Sequence, residues 1–451
     1  MVAVPARPAG GGVGAVAPEA RPRVHVTPPS GWLNDPVGGL VHRGRQHLFF
    51  QYVPSSTEWQ VSCHWGHLVG DDLVRWEHLP VGLAPGDGDD GVWSGSAVVD
   101  SSGPVLLYTS VLDRNLDLGR VALARPLDDD LLTWRKHAGG PVLEPPRELD
   151  LTHFRDPFVW GTPGDWQMAV GAALRGRGGA VLRYASLDLQ QWRFEGILAE
   201  SGGEAGLGEM WECPQYVDLD GEPALVVSVW EAGRLDRVVG ARGTDRGHFV
   251  PGRWETLGYG GSAYALTTYR DRAGRLAGTA WLRHETAATP RVGWTGVLSL
   301  PLLLRAGADG GIRVAPHPDV DTLRRAPLDC RDGRVDLTGD EVTEGLADLE
   351  VALAGGGQLR LDTDDAPVVV TSTGAGLTVE SAGRTTAVPV PDASREVALR
   401  VVVDRGVVEA WTGDGRWVAL RVPHLRVDRA SVRGGRLDAW QLDPVQAAPA
   451  G

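Results

Sequence analysis

Short apolar runs separated by polar turns recur along this chain. His47-Leu48-Phe49-Phe50, Val105-Leu106-Leu107-Tyr108 and Ala224-Leu225-Val226-Val227 are each bounded by Gly, Asp or Pro. Runs of this length with such boundaries predict strands. Between them a short pattern, Asp-Leu-x-x-Trp, returns at Asp72–Trp76, Asp130–Trp134 and Asp188–Trp192, a period of 58 residues, with a looser copy ending at Trp254. A repeat of that size carrying three or four strands is what one blade of a β-propeller needs, because a single blade cannot bury both of its faces. Trp76, Trp134 and Trp192 recur with the blades and are read as core residues.

A second series follows the same period: Trp32-Leu33-Asn34-Asp35-Pro36, Trp93-Ser94-Gly95-Ser96, Phe154-Arg155-Asp156-Pro157, Trp211-Glu212-Cys213-Pro214 and Ser262-Ala263-Tyr264-Ala265. Five such stretches predict five blades, each giving one inner-strand position to a central funnel. Past about Leu304 the texture changes. Alternating strands are expected at residues 347–354, 358–362, 366–372 and 397–403, with a hairpin through Asp404-Arg405-Gly406 and another turn at Asp414-Gly415-Arg416. Many short strands with Gly and Asp turns suggest a β-sandwich. The predicted fold is all-β: a flexible tail over residues 1–22, a five-bladed β-propeller over 23–310 and a C-terminal β-sandwich over 325–445, with the boundary near 305–325.

Composition supports an ordinary globular protein. The chain has 451 residues, 42% hydrophobic and 23% charged, and its 61 glycines and 31 prolines fit frequent turns better than helices. Seventeen tryptophans against six phenylalanines offer flat faces for sugar rings as well as filling for β cores. A net charge of −14 without basic runs argues against nucleic acid and anionic membrane surfaces as partners. Lys136 is the only lysine, which reads as a coding bias.

The odd number of widely spaced cysteines, Cys63, Cys213 and Cys330, argues against a disulfide framework. His64 and His67 stand three apart without further ligands at metal spacing, so they are read as strand residues and no metal or cofactor is expected. Residues 1–23 contain no apolar core of signal-peptide length, and no later segment is long enough to span a membrane, so a cytoplasmic location is expected. Oligomeric state is not legible.

The chemistry rests on three acids. Cleavage of a glycosidic bond needs an acid for the leaving oxygen and a carboxylate for the oxocarbenium-like centre. Asp35 and Asp156 each precede a proline, which biases them to extended geometry, and Glu212 stands two before one. Any single Asp-Pro is commonly a turn, but three acids at matching places of a repeat form a pattern. Glu212, between Trp211 and Cys213, is expected in an apolar setting suited to a proton donor, and Asn34 is expected to help keep Asp35 ionised as nucleophile.

Taken together, the residues resemble glycoside hydrolase family 32, the invertase, sucrose-6-phosphate hydrolase and fructanase family. His25-Val26-Thr27-Pro28-Pro29-Ser30-Gly31-Trp32-Leu33-Asn34-Asp35-Pro36 resembles the nucleophile motif of that family, Phe154-Arg155-Asp156-Pro157 its transition-state-stabiliser motif and Glu212-Cys213-Pro214 its acid/base motif. The stretch Leu399–Arg405, continuing through Glu409, resembles a strand pair of its C-terminal domain. The resemblance implies a retaining β-fructofuranosidase acting on sucrose, sucrose 6-phosphate or short fructans through a covalent fructosyl-Asp35 intermediate, with Asp156 holding hydroxyls. By matching position Asn34, Gln51, Trp59, Trp93, Ser94, Arg155, Tyr264 and Trp281 would line the fructose subsite, with Trp59 alternatively a strand core residue.

The chain departs from the family pattern at Val37, where asparagine is usual, and at Gln215, Ser262 and Thr267. These departures bear on hydroxyl recognition and the leaving group. Exo-levanase or inulinase action and fructosyl transfer are variants of the same chemistry. A non-catalytic carbohydrate-binding propeller and an inverting arabinosidase or xylosidase are readings of another kind.

Overall fold

The structure, a computed structural model, describes residues 21–204, 206–284, 293–339, 344–364, 366–391, 395–422 and 426–445. The first 20 residues of the expected tail lie outside them. Arg21, expected in that tail, is instead anchored: its guanidinium donates to Thr27 Oγ1 and to the carbonyls of Pro28 and Pro29, and lies 4.6 Å from the Trp294 ring centre.

The apolar runs are strands. β1 (Gly31–His42), β2 (Arg45–Val53), β3 (His64–Gly70) and β4 (Glu77–Leu83) make the first antiparallel meander. β5 (Gly91–Asp100), β6 (Gly103–Leu112), β7 (Asn115–Pro126) and β8 (Trp134–Lys136) make the second. β9 (Leu151–Thr162), β10 (Asp165–Leu174), β11 (Gly178–Ser186) and β12 (Arg193–Glu200) make the third, joined to the second only by the pair Leu118 and Phe154. The fourth comprises β13 (Met210–Leu219), β14 (Glu222–Glu231), β15 (Arg234–Asp245), β16 (Phe249–Pro251) and β17 (Glu255–Thr256).

After β18 (Gly258–Tyr259) come β19 (Ala263–Arg270), β20 (Leu276–Leu282), β21 (Trp294–Thr295), β22 (Val297–Leu298), β23 (Leu302–Ala306) and β24 (Ile312–Pro316). Of these, β19, β20, β23 and β24 form the last meander, with β22 against β20. β21 turns back to pair in parallel with the start of β1, Gly31 with Trp294 and Trp32 with Thr295. The first strands of the meanders touch in a closed sequence: β1 meets β5, β5 meets β9, β9 meets β13, β13 meets β19, and β19 meets β1.

The repeated Asp-Leu-x-x-Trp pattern is a turn. Trp76, Trp134 and Trp192 donate their indole N–H to the carbonyls of Leu73, Leu131 and Leu189. Those leucines are buried while the tryptophans are half-buried, so the leucine fills the core and the tryptophan staples the turn over it. His67, stacked on Phe49, faces His47 in the core, and His64 bonds to the Ser62 carbonyl. All three thiols are free.

A short 3-10 turn (Pro318–Leu323) leads to β25 (Arg324–Pro327), β26 (Arg334–Asp336), β27 (Leu346–Thr363), β28 (Val368–Thr373), β29 (Gly376–Ser381), β30 (Arg384–Pro389), β31 (Val397–Asp404), β32 (Val407–Thr412), β33 (Trp417–Arg421) and β34 (Val427–Leu442). Two strands expected at 347–354 and 358–362 are one. Gly355-Gly356-Gly357 does not end β27 but bends it, with the register against β34 shifting between Leu353 and Gln358. The expected hairpin at 404–406 is present: Arg405 and Gly406 have φ of 39° and 87°, and Asp404 pairs with Val407. Positive φ at both turn residues matches the twist of the flanking strands.

The two parts are tied at the motif that opens the first meander. His25 Nδ1 lies 2.8 Å from Asp404 Oδ2, and Asp404 also accepts the backbone N–H groups of Arg23, Val24 and His25. Glu409 accepts the Leu300 N–H at 3.0 Å and the Trp417 indole at 3.2 Å. The Leu399–Glu409 stretch singled out in the sequence is thus the clasp that fixes residues 23–25.

Candidate active site

Each first strand carries an extra residue at its motif. The register slips between Leu33 and Pro36 in β1, Trp93 and Gly95 in β5, Arg155 and Phe158 in β9, Glu212 and Gln215 in β13, and Tyr264 and Thr267 in β19. Such a bulge bends a strand and re-aims its side chains. In β9, β13 and β19 it forces positive φ on Asp156 (65°), Cys213 (47°) and Ala265 (48°). The extended geometry expected of Asp156 before proline is therefore absent, because the bulge overrides the local bias. The acids lie on equivalent first strands, β1, β9 and β13, without sharing register: Glu212 matches Arg155 and Tyr264, one place ahead of Asp156 and Cys213.

The bulge also frees a backbone N–H, and the preceding sheet catches it. Asp156 N donates to Thr109 Oγ1 at 2.7 Å and Ala265 N to Ser228 Oγ at 3.0 Å. Cys213 N donates to the carboxylate of Asp156, again at 3.0 Å. Asp156 therefore takes the place that hydroxyls hold in the neighbouring sheets, and its position is fixed by the backbone.

The three acids meet in one cluster. Asp35 Oδ2 accepts the Ser94 hydroxyl at 2.6 Å and the Gln51 amide at 3.3 Å, while Oδ1 accepts Asn34 Nδ2 at 3.1 Å. Asn34 is itself aimed by the Trp32 indole at 2.9 Å. The Cys213 sulfur lies 3.6 Å from Asp35 Oδ2 and 3.7 Å from Asp156 Oδ2, bridging the two acids. Glu212 Oε1 accepts Arg155 Nε at 2.8 Å, and Oε2 accepts the Tyr264 hydroxyl at 2.6 Å and the Trp230 indole at 2.5 Å.

Around the cluster, Trp59 is 42% exposed and edge-on to Trp93 at 5.6 Å, which makes it a lip residue and removes the strand-core alternative. Trp281 packs edge-on against Trp32 at 5.7 Å. All eleven residues singled out in the sequence thus lie in or beside one cluster.

The expected support of Asp35 by Asn34 is present but outweighed. Burial first, then the charge of Glu212, pushes Asp35 up to about 6, against the bonds from Ser94 and Asn34. The same two causes push Asp156 up to about 7, with Arg155 opposing. Glu212 does not sit in an apolar pocket. Trp211 and Met210 are buried in the sheet, the Trp211 indole bonding to the Leu207 carbonyl, whereas Glu212 faces three donors. Trp211, the adjacent residue, points to the opposite face of the strand, while the bulge turns the Cys213 sulfur into the cluster between the other two acids.

Thr109, Ser228 and Trp230 were not foreseen. They come from the second strands of their meanders, β6 and β14. The signal available was alternation in Leu225-Val226-Val227-Ser228-Val229-Trp230, which puts Ser228 and Trp230 on one face. Four departures from the family pattern are absorbed structurally. Val37 is core. Gln215 Oε1 accepts both the backbone N–H and the hydroxyl of Thr268, at 2.8 and 3.0 Å, joining β13 to β19. Thr267 pairs with Thr279, and Ser262 Oγ accepts the Arg421 N–H at 2.8 Å, across to the C-terminal strands.

Comparison with known proteins places the chain in a family. Residues 25–316 match the family description "Glycosyl hydrolases family 32 N-terminal domain". A sucrose-6-phosphate hydrolase of Escherichia coli is 30% identical over 434 residues, covering 88% of each chain. A raffinose invertase of Escherichia coli is 35% identical over 322 residues, covering 67% of this chain and 66% of the relative. The solved Bombyx mori GH32 β-fructofuranosidase superposes with a TM-score of 0.81 at 25% identity, covering 95% of both chains. The chain belongs to glycoside hydrolase family 32 and is a hydrolase of the β-fructofuranosidase type.

Proposed function

We propose that this protein is a retaining β-fructofuranosidase that releases terminal fructosyl units from sucrose, sucrose 6-phosphate or short fructans. The observation that carries the reading is the cluster itself. Asp35 is cradled by Ser94, Gln51 and Asn34, and Glu212 by Arg155, Tyr264 and Trp230, with Asp156 fixed nearby by Cys213. Asp35 attacks the anomeric carbon while Glu212 protonates the departing oxygen, giving a fructosyl ester on Asp35. Water, deprotonated by Glu212, then cleaves that ester with overall retention. Asp156, protonated part of the time near neutral pH, both donates to and accepts from fructose hydroxyls.

The closed sequence of five first strands supports a five-bladed propeller over residues 23–310, and the enclosed core formed by β26–β34 supports a sandwich over 325–445. The test is release of fructose from sucrose by the wild type and by Asp35→Ala and Glu212→Ala. Loss in both variants is expected, and full activity in either would remove the assignment. Parallel assays on sucrose 6-phosphate, inulin, levan and 1-kestose rank the substrates.

A further inference from the structure

Each oxygen of a carboxylate offers two acceptor positions. On Glu212 Oε2 both are occupied, by the Tyr264 hydroxyl at 2.6 Å and the Trp230 indole N–H at 2.5 Å. Oε1 carries only Arg155 Nε, at 2.8 Å, and keeps one position open. Tyr264 alone would not protect Oε2, because a hydroxyl can turn and accept a proton from it. An indole N–H can only donate. We propose that Trp230 is a positioning residue that closes Oε2 and so directs the transferable proton of Glu212 to Oε1.

The indole is built to hold that aim. Trp230 pairs with Met210 on one side and Leu235 on the other, and the register slips between Ser228 and Trp230. Arg283 holds the start of β15 by donating to the carbonyls of Leu235 and Asp236. The ring lies 5.2 Å from the Arg155 guanidinium and 5.8 Å from the His153 ring. In the first step the Oε1 proton moves to the glycosidic oxygen as its bond to the anomeric carbon breaks and the Asp35 ester forms. In the second, a water proton returns to Oε1 as the water oxygen bonds to that carbon and the ester breaks.

This inference rests on Glu212 as the acid/base, and the test separates the two. Wild type, Trp230→Phe and Glu212→Gln are compared on sucrose and on 4-nitrophenyl β-D-fructofuranoside, whose leaving group needs little protonation. Trp230→Phe is expected to lower kcat/KM on sucrose about 10- to 100-fold, while kcat/KM for nitrophenol release, which likewise reports only the steps up to the Asp35 ester, falls far less. Equal loss on both substrates, or no loss, overturns the role of Trp230. If Glu212→Gln itself fails to discriminate between them, the acid/base reading falls instead. Should Trp230→Phe not fold, Trp230→His is read the same way: a loss confined to sucrose supports the role, and an equal loss on both substrates, or none, overturns it.

Discussion

His25 and Asp404, 379 residues apart in the chain, are joined side chain to side chain in a site closed to water. Burial opposes the imidazolium, but the bonds and charges of Asp404 and Glu409 prevail and raise His25 to about 9. Because the folded value lies above the unfolded one of about 6.5, the pair contributes its full stability below that value and loses it as pH rises through about 9. Thermal melts of the wild type should fall between about pH 6.5 and 9, and His25→Gln should flatten that fall while lowering stability at pH 6 by about 3 kcal/mol. A variant that melts like the wild type at pH 6 would contradict the clasp.

Asp35 has linkage of the same sign in a lower pH window. Its folded value of about 6 exceeds the usual 3.8, so its contribution is favourable only at low pH and is lost as pH rises through about 6. Asp35→Asn should lack activity yet exceed the wild type in stability at pH 8 by roughly 1–2 kcal/mol, with the gap closing below about pH 4. Urea titrations at the two pH values check this. A gap that persists at pH 4 would point to another cause.

Asp156 occupies a backbone conformation that L residues resist. Asparagine tolerates φ near 65°, whereas alanine does not, and either change removes the carboxylate that accepts the Cys213 N–H. Both variants should lose activity, but Asp156→Ala should be less stable than Asp156→Asn by about 1–2 kcal/mol. Equal unfolding midpoints would mean that the bulge relaxes at no cost.

Trp59 stands at the lip with much of its ring in solvent. Trp59→Ala should raise KM for sucrose about 3- to 10-fold, leave kcat within about twofold and leave the melting temperature unmoved. A melting point lowered by several degrees would return Trp59 to the core.

The strands and the acids were legible because apolar runs, Asp-Pro steps and the tryptophan period all leave marks in one dimension. The bulge does not. It adds a single residue, and nothing in Phe154-Arg155-Asp156-Pro157 states that Asp156 must turn to positive φ when its proline argues for extension. The setting of Glu212 was misjudged for a related reason, since Met210, Trp211 and Cys213 are close in sequence while Arg155, Tyr264 and Trp230 arrive from three other strands. Gly355–Gly357 misled in the other direction, reading as a break where a long strand only bends.

The ladder between β1 and β21 has two residue pairs, Gly31 with Trp294 and Trp32 with Thr295, beside the bond from Gly31 N to the Gly293 carbonyl. Asn34 and Asp35 follow immediately on the same strand. The proposed nucleophile therefore sits beside a seam of only two residue pairs, and loosening of this seam on warming is expected to blunt catalysis while the remaining sheets are still intact. Durability of the enzyme is in that sense a local property: a covalent staple across the seam would lengthen working life more than it would raise the temperature at which the whole protein melts.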